Sequence, residues 1–167
     1  MTATTVGSSR RTGAPGRRVL VIAAWRNEDR ALRAMVTRLK ELVPCGFGIL
    51  NLESPTAARY CLSSRALYGR IRRYDAAVVA LTARDGASSP AVRLPSERLP
   101  VSRHFIRRIP AGYLVDGPCD AALAGAIDAH ARAWRLLPLA TASDDKEKGG
   151  AEVENLAAAL NNTLQKD

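Results

Sequence analysis

Apolar positions along this chain follow two rhythms. Residues 19–24, Val-Leu-Val-Ile-Ala-Ala, form an unbroken apolar run rich in β-branched side chains. Such a run predicts a strand covered on both faces. Polar residues 25–29 break it, and Leu32, Met35, Val36, Leu39, Leu42 and Val43 then recur at steps of three and four. That spacing predicts an amphipathic helix. Asn27 is its expected N-cap, with Glu28 and Asp29 suited to the positive end of the helix dipole. A strand feeding a helix through a short polar loop is the unit around which the chain is organised.

The alternation continues. Pro44-Cys45-Gly46 stops the first helix, and residues 47–52 read as a second strand weakened by glycine. Ser54-Pro55 opens a second helix running to about Arg73. Residues 75–82 are apolar almost throughout and give a third strand, again covered on both faces. Residues 83–100 hold three prolines and no periodic pattern, so a long loop is expected there. It follows the carboxyl end of a strand, where open α/β sheets bind ligands. Residues 104–109 and 111–115 are two candidate short strands, the second favoured for the core. A helix from about Cys119 to Leu137 has Leu123, Ile127, His130, Trp134 and Leu137 on one face. Val153, Leu156, Ala157, Leu160 and Leu164 predict a last helix, too short to stand alone. It has to dock on the domain or on a partner.

Strands separated by helices imply right-handed parallel crossovers with helices on both faces of the sheet. The expected fold is α/β and flavodoxin-like, a parallel sheet of about four to five strands. The expected organisation is a disordered basic tail over 1–17, an α/β domain over 18–137, a charged linker over 138–150 and a C-terminal amphipathic helix over 151–167.

Charge adds an uneven distribution to this picture. The net charge is +9, and residues 1–18 contribute four arginines without an acid. Residues 19–137 hold 18 basic against 10 acidic residues, while the last thirty hold 3 against 6. A basic, arginine-rich domain attracts phosphates of nucleotides, nucleic acid or lipid without choosing among them. The three cysteines lack metal-ligand spacing and read as reduced thiols, so no metal site is signalled. No apolar run approaches the roughly 20 residues of a membrane span. A cytoplasmic location without a membrane span is the expectation. The chain contains no P-loop, no Gly-x-Gly-x-x-Gly and no Gly-x-Ser-x-Gly motif.

The strand 19–24 with its acidic loop Asn27-Glu28-Asp29, the turn Glu53-Ser54-Pro55, and the stretch Ile71-Arg72-Arg73-Tyr74-Asp75 running into the strand 76–82 together resemble the Toll/interleukin-1 receptor (TIR) domain. The same residues are similar to its nucleoside deoxyribosyltransferase-like relatives. The resemblance covers residues 18–137. It implies a domain that binds or hydrolyses a nucleotide such as NAD by cleaving an N-glycosidic bond. A carboxylate beside the ribose would stabilise the oxocarbenium-like transition state. By that resemblance Glu97 is the catalytic candidate. Trp25 would stack on a base or nicotinamide, Thr82 would line the site, and Arg26, Arg84 and Arg93 would meet phosphates. No cofactor is certain; NAD is the candidate substrate.

Two further readings stay open. One is a non-enzymatic assembly module, with a protein partner or a second copy bound through the C-terminal helix. The other is an accessory nucleic-acid binder, which lacks the interleaved aromatics that single-strand binders use. Without the resemblance, Glu97 is a solvated loop acid, Trp25 a rim or core aromatic and the arginines surface charge.

Overall fold

The computed structural model describes residues 16–23, 25–51, 54, 69, 71–82, 109–118, 121–134, 136–139 and 151–166. Five strands are found among them: β1 (Arg18–Ala23), β2 (Gly46–Asn51), β3 (Ala76–Thr82), β4 (Ile109–Asp116) and β5 (Leu136–Pro138). Three helices accompany them: α1 (Arg30–Leu42), α2 (Ala121–Ala133) and α3 (Ala151–Leu164). The strands form one sheet in the order β2-β1-β3-β4-β5, and every adjacent pair is parallel. This is the flavodoxin-like arrangement expected from the alternation of elements.

The two apolar central strands explain the layering. Successive side chains point to opposite faces of a sheet. In β1, Leu20 and Ile22 join one core, with Leu50, Ile71, Tyr74, Val79, Leu123 and Trp134. Val19, Val21 and Ala23 join the other, with Leu32, Val36 and Leu39 of α1 and Val153, Leu156 and Leu160 of α3. Helices therefore cover both faces, α2 on the first and α1 with α3 on the second. The start of β3 is pinned to β1 by charge. The Arg18 N–H donates to the Asp75 carboxylate at 2.9 Å, and Arg17 pairs with the same carboxylate at 3.4 Å.

Two glycines have packing reasons. A Cβ on Gly48 would overlap the Tyr74 hydroxyl, and one on Gly112 would overlap the Leu156 side chain. Gly48, whose residue type weakens a strand on propensity alone, lets Tyr74 lie under β2. Gly112 lets α3 seat directly on β4.

Three sequence expectations are corrected. The first helix begins at Arg30 with Asp29, not Asn27, at its N-cap position. The helix starting near residue 119 ends at Ala133, and Leu136–Pro138 is a fifth strand where a helix end was expected. Its Leu137 is exposed on this edge strand and is not part of a buried stripe. The second helix falls mostly outside the described residues, as do 1–15, 83–108 and 140–150. Of the candidate strand 104–109 only Ile109 is described, and it opens β4.

Candidate functional site

The order of strands locates the site. From β1 the chain crosses to β2 on one side through α1, and β3 then lies on the other side of β1. The carboxyl ends of β1 and β3 flank this reversal, and ligands of open α/β sheets bind in such a crevice. Ala23 pairs with Ala80, so Trp25 and Thr82 each lie two residues further along neighbouring strands. Thr82 pairs in turn with Asp116 of β4. Trp25, Arg26 and Thr82, singled out from sequence, are thus brought to one edge of the sheet. Glu97, Arg84 and Arg93 lie outside the described residues.

Each of the three behaves differently. Trp25 is half-buried, and its ring packs against the core on the α1 and α3 side. Its carbonyl accepts the Asn51 amide at 3.2 Å, which ties the end of β2 to the loop after β1. Arg26 is exposed, and its backbone N–H donates to the Asp29 carboxylate at 2.7 Å. The Asp29 N–H returns to the Arg26 carbonyl at 3.2 Å. The Thr82 hydroxyl is buried and has no hydrogen-bond partner among the described residues. A buried hydroxyl without a partner costs about 1–3 kcal/mol.

Sequence reasoning missed Asn51, Asp116 and the inward role of Asp29. It also missed a polar cluster beneath α2. The Tyr113 hydroxyl and His130 Nδ1 are 2.8 Å apart, with the two rings edge to face at 5.8 Å. His130 stacks at a tilt on Trp134, with centroids 5.3 Å apart. Burial, helped by the charge of Asp128, pushes the Tyr113 hydroxyl above its usual range. It therefore keeps its proton, and it shares a hydrogen bond with Nδ1. His130 Nε2 and Trp134 Nε1 are buried without partners among the described residues. Burial lowers the His130 pKa to about 4, so the imidazole is neutral at physiological pH. At the opposite edge of the sheet, burial pushes the Cys45 thiol up to about 11, against a lowering backbone hydrogen bond from Val19. Such a thiol is protonated at physiological pH.

The sequence matches no protein-family model, and no curated protein is significantly similar to it. Solved structures do share its fold. One is FerB, a flavoenzyme NAD(P)H:(acceptor) oxidoreductase from Paracoccus denitrificans, with a TM-score of 0.62 at 13% identity. The match covers 90% of this chain and 98% of that one. A second is an oxidoreductase from Corynebacterium diphtheriae, with a TM-score of 0.58 at 13% identity over 89% and 94% of the two chains. A third is an FMN-dependent NADH-azoreductase from Bacillus anthracis in complex with FMN, with a TM-score of 0.53 at 11% identity over 87% and 100%. At these identities the likeness establishes a flavodoxin-like fold.

It also corrects the functional expectation. These three structures are described as redox enzymes, not as N-glycosidases, assembly modules or nucleic-acid binders. Cleavage of NAD through Glu97 is therefore withdrawn, and so are the two non-enzymatic readings. The physical reason is that one hydrophobic pattern, strand–helix–strand with apolar central strands, serves all these folds alike. Among the described residues no helix is long and apolar enough to cross a membrane.

Proposed function

We propose that this chain is an oxidoreductase of flavodoxin-like fold that takes a flavin at the β1/β3 switch point and electrons from a reduced nicotinamide nucleotide. The observation that carries the reading is the Thr82 hydroxyl, buried and unpartnered among the described residues at that point of the sheet. Its support is the likeness to a flavoenzyme NAD(P)H:(acceptor) oxidoreductase and to an FMN-dependent NADH-azoreductase, at TM-scores of 0.62 and 0.53.

The residues present fit one end of such a ligand better than the other. Thr82 offers a hydroxyl to a polar atom of the ring or its side chain. The loop 25–29 offers less to a phosphate, because the Arg26 N–H is already bonded to Asp29. A bound flavin supplies the two-electron chemistry of this enzyme class. The chain's own part is to satisfy and orient it.

Titration with riboflavin and with flavin mononucleotide, read by quenching of flavin fluorescence, tests this directly. Thr82→Val removes the hydroxyl at nearly constant shape. Flavin affinity is expected to fall about tenfold, the equivalent of one hydrogen bond. The ligand-free protein is expected to gain about 1–3 kcal/mol, since an unsatisfied buried group is gone. Oxidation of NADH or NADPH with a quinone or azo dye as acceptor should fall in parallel with flavin occupancy. Absence of binding for either flavin, or full affinity in Thr82→Val, would refute the proposal.

A further inference from the structure

The loop between β1 and α1 carries its own anion. Its residues 24–29 are Ala, Trp, Arg, Asn, Glu and Asp, without a glycine, serine or threonine. Phosphate loops at helix N-termini use bare backbone N–H groups and small residues for close approach. Here the turn closes on itself. Asp29 donates its N–H to the Arg26 carbonyl, and its carboxylate takes the Arg26 N–H at 2.7 Å. That length marks a charge-assisted bond. Asp29 is 8% exposed, the buried charged residue among the described residues, and α1 starts at the next position. A carboxylate oxygen thus holds the backbone N–H of Arg26. Glu28 adds a second acid beside it, against the loop's own cation Arg26.

We infer that Asp29 is a built-in anion that sets the ligand specificity of the switch-point site, so that the loop selects flavins without gripping a terminal phosphate. This rests on the flavin reading above and narrows it. A phosphate ester brought to the loop meets a buried like charge and finds the Arg26 N–H engaged. An unphosphorylated flavin meets neither penalty. Riboflavin and flavin mononucleotide therefore bind with similar affinity, unlike at a site built around a phosphate.

The experiment compares riboflavin with flavin mononucleotide on the full chain, in the wild type, Asp29→Ser and Asp29→Asn. Serine frees the N–H and removes the charge; asparagine keeps an acceptor oxygen and removes only the charge. Wild type should show no preference for the phosphate ester. Asp29→Ser should raise affinity for the mononucleotide about tenfold, with riboflavin unchanged, by freeing one charge-assisted bond. Should Asp29→Ser not fold, Asp29→Asn decides by a smaller shift of the same ratio. A tenfold preference for the mononucleotide in wild type, or a ratio unmoved in the folded variants, overturns the inference. A second arm needs no flavin: the Arg26 amide resonance is followed as inorganic phosphate is added at constant ionic strength. It should stay still in wild type and move in Asp29→Ser, and movement in wild type overturns the inference. If neither flavin binds, the proposed function fails while the Arg26 arm still judges Asp29.

Discussion

A chain ending at residue 150 is expected to lose cooperative folding. Truncation there removes α3, whose Val153, Leu156, Ala157, Leu160 and Leu164 are all buried against the sheet and α1. Four large side chains at ~2 kcal/mol each sum to ~8 kcal/mol. That is comparable to the whole stability of an ordinary domain, 5–15 kcal/mol by the general range, or roughly 10. The face left behind, with Val21, Val78 and Leu114, would meet water. Point changes grade the same effect. Leu160, with no exposed surface, should cost about 3 kcal/mol as Leu160→Ala. Gly112→Ala should cost about 1–3 kcal/mol because its methyl overlaps Leu156. Thermal melts followed by circular dichroism check all three. A truncated chain melting like the intact one would show that the helix contributes nothing to the core.

Acid should weaken the fold through His130 before it protonates the native histidine. The folded pKa is lowered to about 4 by burial, below the ordinary 6.5 of the unfolded chain. Above pH 6.5 both states are neutral at this site, and its contribution is constant. Between pH 6.5 and 4 the unfolded chain binds a proton that the native state refuses. Stability therefore falls as pH drops across that window and levels off below it. Each tenfold difference in proton affinity between the two states is worth about 1.4 kcal/mol, so the full loss is about 3 kcal/mol. His130→Gln removes the titration and leaves a hydrogen-bonding group for the Tyr113 hydroxyl. Urea midpoints for both proteins at pH 7.5, 6 and 4.5 isolate this histidine from the carboxylates, which titrate alike in each. Parallel losses in wild type and variant would mean that His130 is not held neutral.

These two effects differ in how far they could be read from residues alone. The stripe of α3 is written in a three- and four-residue spacing, so its need for a covering surface follows from the sequence. Which surface covers it does not: Gly112, 44 positions before Leu156, meets it only once the sheet is assembled. His130 could be assigned to a helix face, but its bond to Tyr113 spans 17 positions and depends on α2 lying over β4.

The same division holds for the fold and the site. Sequence by itself determined β1 and β3 as doubly covered strands, the inner face of α1 and the alternation that makes the sheet parallel. Each of these is a local pattern of apolar residues, and burial acts on that pattern directly. It did not determine β5, because Trp134 and Leu137 continue a helical spacing past the point where the helix stops. It could not choose among the functions that such a fold hosts, because all of them use the same layers. Tertiary structure alone decided the strand order, and with it which loop ends share a crevice. It decided that the Asn51 amide meets the Trp25 carbonyl across the ends of two strands. It also decided that Thr82, the last residue of an ordinary apolar strand, ends with its hydroxyl buried and unpartnered among the described residues. The reason is physical: register and crossover bring distant residues to one edge, and hydrogen-bond partners exist only after that encounter.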